Sequence, residues 1–138
     1  MRDIEVEVAG PVGDCAVIKV AGEIDVFTAP QLREHVLDLA AKGVVHIVAD
    51  MGAVEFLDST GLGVLVGGLK RLRMQEGSLA LARTTDRIQR ILRITGLSAV
   101  FPGNPSVAAA IEANPHWVRT LERKAGGVEE WCRQNSLS

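Results

Sequence analysis

Cysteine is scarce: Cys15 and Cys132 are the only two in 138 residues, far apart and in unlike settings. Cys15 falls in an apolar run that reads as a buried strand, and Cys132 falls in a polar C-terminal stretch. A disulfide scaffold and a Cys-x-x-Cys redox or metal pair are both excluded by that spacing. The reducing cytoplasm is the expected compartment. Net charge is scarce too. The chain sets 15 Lys and Arg against 17 Asp and Glu, for a formal charge of −2. No field steers it onto a phosphate backbone or an anionic bilayer, so neither nucleic acid nor membrane is expected as a direct partner. Long apolar runs are missing as well. Leu62 to Leu69 ends at Lys70-Arg71, far short of the ~20 residues a span requires. Met1-Arg2-Asp3-Ile4-Glu5 turns polar at once, without the apolar core of an export signal.

The groups that run hydrolytic or metal chemistry are equally thin. Three histidines occur, His35, His46 and His116, and none has a neighbouring carboxylate in an obvious catalytic arrangement. Gly-x-Ser-x-Gly is absent, so Ser59 lacks the elbow, base and oxyanion donors of a nucleophile. Gly61-Leu62-Gly63-Val64-Leu65-Val66-Gly67 misses the third glycine of a dinucleotide fingerprint by one position, and Gly10-Pro11-Val12-Gly13 has no Lys-Ser/Thr behind it. Asp25, Asp50 and Asp58 are scattered carboxylates without ligand spacing. No enzyme activity and no cofactor is expected.

What is present is an ordinary globular composition, 47% apolar and 23% charged, in a chain the size of one domain. Ile4, Val6 and Val8 alternate with Asp3, Glu5 and Glu7, and Cys15 to Ala21 follows as a second run. Residues 3–21 thus predict an antiparallel hairpin broken at Gly10 to Asp14. Gly22 to Asp25 is expected as a loop, and Thr28 as the cap of a helix whose face carries Leu32, Val36, Leu39 and Ala40. Residues 44–49 predict a central strand, 61–75 a helix with an inner stripe of Leu62, Leu65, Val66, Leu69 and Leu72, and 78–82 another strand. Gly67-Gly68 is expected to let that helix pack closely on a neighbour. A third helix follows Thr85 or Asp86, with Ile88, Ile91 and Leu92 inward. Val100-Phe101 reads as a very short edge strand and 106–113 as a last helix. Intervening helices make the later strands parallel. The expected fold is α/β, a mixed four- to five-stranded β-sheet with helices packed mainly on one face.

Residues 1–113 are expected to form this domain, and 114–138 a C-terminal appendage, helical or partly disordered. Both tryptophans lie in the appendage. Trp117, Leu121 and Ala125 share a helical face, and Gly126-Gly127 frees Trp131 beyond it. Docking through Trp117, with Trp131 as a second contact, is expected, and Gln134 to Ser138 is expected to fray.

The informative stretch is the turn Phe56-Leu57-Asp58-Ser59-Thr60-Gly61-Leu62-Gly63, at the carboxyl end of a parallel strand, where α/β sheets usually carry their function. Asp58, Ser59 and Thr60 are all capping types, and only one can occupy the cap. These residues leave two readings open: a well-capped helix start, or a polar turn that shows a hydroxyl to a partner.

Asp58-Ser59-Thr60-Gly61-Leu62-Gly63-Val64-Leu65 resembles the phosphorylation-site signature of bacterial anti-sigma factor antagonists, the small STAS proteins. Gly22-Glu23-Ile24-Asp25 with Thr28-Ala29-Pro30 resembles their second signature, and Ile94-Thr95-Gly96-Leu97 with Val100-Phe101 their third recurring stretch. Together these cover about residues 3–112 in the family's order. The resemblance implies an antagonist that binds an ATP-using anti-sigma factor serine kinase and frees the sigma factor. It also implies phosphorylation on Ser59 that ends binding, and a metal-dependent serine phosphatase that restores it. Glu23, Asp25, Thr28, Asp58, Ser59, Thr60, Gly61 and Leu62 become the expected partner-binding residues. The alternative is a STAS interaction module of a stress-signalling or lipid-transport complex without sigma-factor control.

Overall fold

The alternation along the first residues produces the expected hairpin, and the strands run on through several expected breaks. A computed structural model describes residues 3–138, so the polar start at Met1 and Arg2 lies outside the described residues. The strands are β1 (Glu5–Val12), β2 (Cys15–Ile24), β3 (His46–Leu57) and β4 (Ser78–Ala82). The helices are α1 (Ala29–Ala41), α2 (Ser59–Met74), α3 (Asp86–Ile94), α4 (Val107–Glu112), α5 (Pro115–Lys124) and α6 (Val128–Gln134).

The sheet order is β1-β2-β3-β4. β1 and β2 are antiparallel, while β2–β3 and β3–β4 are parallel. Each parallel pair is bridged by a helix, as a right-handed crossover requires. The expected mixed sheet is therefore present, with four strands. The residues predicted as a fifth, Val100-Phe101, form a turn in which both amides donate to Leu97 O. Phe101 is driven into the core instead of along an edge.

Three expected breaks are strand. β1 runs through Gly10-Pro11 to Val12, because a register shift between Ala9 and Val12 takes up the irregularity. β2 continues to Ile24, with Glu23 opposite Phe56 and Ile24 opposite Leu57. Gly22, at φ +117°, marks a bulge within the strand and not its end. β3 is twice its predicted length. Asp50 and Gly52, beyond the predicted end at residue 49, stay in it because Asp50 Oδ1 accepts from Gly52 N–H at 3.1 Å and from Arg83 Nε at 2.9 Å.

Side chains alternate between two layers. Ile18, Val20, Ile47, Ala49, Leu79 and Leu81 face α1, α2 and α3 in the larger core. Of the residues expected in this helix-covered core, Ile91 is only half-buried, since Ile88 and Leu92 turn inward instead. Val48 is buried too but faces the opposite way. Cys15, Val17, Val48 and Ala82 pack against α4, α5 and α6. Trp117 and Trp131 meet there with ring centroids 5.7 Å apart, both buried. Residues 134–138 are held: Leu137 N–H donates to Cys132 O, Ala108 N–H donates to Ser138 O, and Leu137 is buried.

Gly67 makes no close approach. A Cβ there would meet nothing within 4 Å, and one at Gly68 would make ordinary contact with Val36 and Leu79 at 3.6 Å. The third motif is a helix stop: Gly96 at φ +75° lets Leu97 N–H reach Leu92 O at 2.7 Å.

Candidate functional site

Two loops leave the same end of the sheet side by side. Ile24 and Leu57, the last residues of β2 and β3, are register partners, and Asp58 N–H donates to Ile24 O at 3.1 Å. Residues 25–28 and 58–60 therefore form one surface.

The second loop is the start of α2. Asp58 is its cap, with Oδ1 accepting from Gly61 N–H at 3.0 Å. The helix begins at Ser59, two residues earlier than the sequence predicts, because Ser59 and Thr60 need not cap once Asp58 does. Both are exposed. Ser59 is thus the first helical residue, where amides lack intrahelical acceptors and the helix dipole favours negative charge. Leu62 is half-buried against the core and Gly61 is buried.

The first loop is closed on itself. Asp25 Oδ1 accepts from Phe27 N–H at 2.9 Å and from Thr28 N–H at 3.1 Å. Thr28 Oγ1 donates to Glu23 O at 2.6 Å and accepts from Asp25 N–H at 2.9 Å. Thr28 consequently does not cap α1 by its side chain as predicted; its hydroxyl is used inside the loop. Asp25 and Thr28 are buried, and Glu23 is half-buried in β2. That closure pushes the two intervening side chains outward. Val26 is 57% exposed and Phe27 75%. Sequence reasoning missed both; the signal available was two apolar residues inside a four-residue turn bounded by Asp and Thr.

Beyond Thr60 a groove of about 380 Å³ runs between α1 and α2. Val36, Leu37 and Val64 line it, and Arg33 and Arg71 supply its cations. On the other side Arg87, from the start of α3, lies 5.6 Å from the centre of the Phe56 ring. That is cation–π range, and it ties α3 to the same end of the sheet. Among the described residues no helix is long and apolar enough to cross a membrane.

Gly61 sets how close the α2 start can come to the strands. A Cβ there would overlap Leu57 Cδ1 and sit 2.8 Å from Ile24 Cγ2 and 3.1 Å from Ile24 O. Overpacking costs about 1–3 kcal/mol, against a gain of about 1 kcal/mol in helix propensity from Gly to Ala. Gly61→Ala is therefore expected to destabilise, by about 1 kcal/mol net. Urea unfolding checks the sign: a stabilised variant would mean that the strand ends yield freely.

The family model for the STAS domain matches residues 3–110. The anti-sigma-B factor antagonist of Listeria monocytogenes is 40% identical over 98 residues, 71% of this chain and 86% of the relative. That of Bacillus subtilis is 43% identical over 83 residues, 60% of this chain and 75% of the relative. Among solved structures, an anti-sigma factor antagonist from Mycobacterium paratuberculosis superposes with a TM-score of 0.71 at 33% identity, covering 80% of this chain and 92% of that one. The chain belongs to the STAS domain family.

Proposed function

We propose that the chain is an anti-sigma factor antagonist whose unphosphorylated form binds an anti-sigma factor that is also an ATP-using serine kinase. Transfer of the ATP γ-phosphoryl group to Ser59 Oγ, with loss of the hydroxyl proton and release of ADP, switches binding off. A serine phosphatase hydrolyses the ester and restores it. One observation carries the reading. Ser59 is a solvent-facing hydroxyl at the first turn of α2, bordered by the exposed Val26 and Phe27, while its neighbour Asp58 does the capping. The family relatives named as anti-sigma-B factor antagonists point the same way.

In this reading the expected site residues divide by task. Ser59, Thr60 and Asp58 face the partner. Asp25, Thr28 and Glu23 shape the loop that presents Phe27, and Gly61 and Leu62 seat the helix start. Residues 1–113 carry the partner-facing domain, and 114–138 act as an appendage on the reverse side of the sheet. Within the appendage, α5 meets the chain at Asp14 just before β2, whereas the switch loops leave the other end of that strand at Ile24.

Incubation with the cognate kinase and ATP, followed by mass spectrometry, tests the acceptor. Phosphate on Ser59, and none on Ser59→Ala, is the expected result; phosphate on Thr60 overturns the assignment. A separate prediction concerns Phe27. Burying a phenylalanine contributes about 1.5–3 kcal/mol, and tenfold in Kd is about 1.4 kcal/mol. Phe27→Ala should therefore weaken kinase binding by about tenfold or more. Its exposure in the free protein predicts a change in folding stability within about 0.5 kcal/mol. Calorimetry showing unchanged affinity would remove Phe27 from the interface.

A further inference from the structure

The β1–β2 turn meets α5 in a cluster that no sequence spacing shows, because its members come from residues 14–15 and 116. His116 Nε2 lies 2.7 Å from Asp14 Oδ1, and Cys15 Sγ lies 3.5 Å from the same oxygen. One ligand atom from each residue falls within 4.8 Å of the other two. We propose that Asp14, Cys15 and His116 bind one divalent transition ion of the zinc type, which staples the C-terminal helices to the β1–β2 hairpin.

The donor set is one sulfur, one imidazole nitrogen and one carboxylate oxygen, a combination that favours zinc over magnesium or calcium. A tetrahedral zinc site places its nitrogen and oxygen ligands about 3.4 Å apart and its sulfur and oxygen ligands about 3.6 Å apart. The sulfur–oxygen distance already fits. Opening the nitrogen–oxygen pair needs about 0.7 Å, which rotation of the half-exposed His116 and Asp14 side chains supplies. Cys15 is fully buried, so the ion enters between Asp14 and His116 and rests on the thiol. A solvent water takes the fourth position.

The surroundings hold the histidine. His46 stacks on it with ring centroids 4.1 Å apart, and His46 Nδ1 is 2.9 Å from Ser78 Oγ. Asn114, which caps α5, donates to the same hydroxyl at 3.1 Å.

Protons oppose the ion. Burial pushes the Cys15 thiol up to about 12, and the ion must displace that proton to water. His116 Nε2 gives up its hydrogen bond to Asp14 and offers a lone pair, leaving its proton on Nδ1. The two charges of the ion then balance one thiolate and one carboxylate. Affinity therefore rises with pH.

The test uses the full chain, stripped with a chelator and titrated with cobalt chloride. One cobalt per chain is expected, with thiolate-to-metal absorption that zinc chloride abolishes. Zinc should also raise the thermal midpoint of the wild type. Cys15→Ala should lose the absorption, His116→Gln should weaken binding roughly tenfold or more, and Cys132→Ala should keep both. Near-UV circular dichroism of the buried tryptophans verifies that each variant is folded. His116→Gln leaves every buried apolar side chain in place, so it decides the matter even if Cys15→Ala does not fold. Absence of thiolate-to-metal absorption in the wild type, or its survival in Cys15→Ala, overturns the proposal, as does unchanged affinity in His116→Gln.

Discussion

Replacing Trp117 with alanine is expected to lower the free energy of unfolding by about 3–5 kcal/mol, the largest loss from any single change in the C-terminal helices. Trp117 is 1% exposed and touches the tilted ring of Trp131. It belongs to the cluster that joins α4, α5 and α6 to Val17 and Val48 of the sheet. Removing it opens a cavity that the packed neighbours close only in part. One feature works against the native residue. The indole Nε1 is buried without a hydrogen-bond partner among the described residues, and such a group costs about 1–3 kcal/mol. Trp117→Phe, which removes that group while filling much of the space, should therefore lose far less than Trp117→Ala. Urea unfolding of both variants checks the pair. Equal losses would show that ring volume does not set the cost. Phosphorylation at Ser59 should persist in folded Trp117→Phe, because α5 contacts the opposite end of β2 from the switch loops.

How far the sequence carries this architecture depends on what each signal measures. Hydrophobic period located the helices well: α2 lies within two residues of its predicted bounds, and β4 spans its predicted residues. Glycine and proline misled at β1 and β2. A local breaker indicates an unusual backbone, and the sheet converted Gly10 and Gly22 into register shifts without ending the strands. β3 was cut short for a different reason. Asp50 reads as a loop residue until Arg83, 33 positions away, is brought beside it. Long-range pairing of this kind leaves no trace in a local window. Phe101 illustrates the reverse case, in which an apolar pair reads as a strand although a turn delivers one ring to the core. At the candidate site, the motif points to the run from Asp58 to Leu62, but not to the inward turn of Asp25 and Thr28 that displays Val26 and Phe27. The direction of a side chain in a short loop is set by hydrogen bonds that composition does not encode.

Phosphorylation of Ser59 is expected to leave folding stability nearly unchanged while weakening kinase binding on the order of a hundredfold. The two effects have separate causes. A phosphoserine adds about −1.5 to −2 charge. Within the free protein that charge stands at the first turn of α2, where the helix dipole and the first-turn N–H groups favour it by about 0.3–1 kcal/mol. The Asp58 carboxylate beside it, engaged with Gly61 N–H, opposes this by a similar small amount across exposed, screened space. The fold therefore feels little. The loop that carries Phe27 and Val26 leaves the sheet beside this helix start, so a partner surface that covers both must also desolvate a dianion. Uncompensated charge in a closed interface costs several kcal/mol, which exceeds the helix-end gain severalfold. Ser59→Asp should fall between the two states, since one carboxylate carries less charge and reaches less far than a phosphate. Calorimetric titration of the kinase with wild-type, phosphorylated and Ser59→Asp protein, together with thermal unfolding of each, measures both sides. Weak binding with an intact melting temperature supports the electrostatic account. A phosphorylated form that melts much earlier would place the switch in the fold, and equal affinities of all three would remove charge at Ser59 from the mechanism.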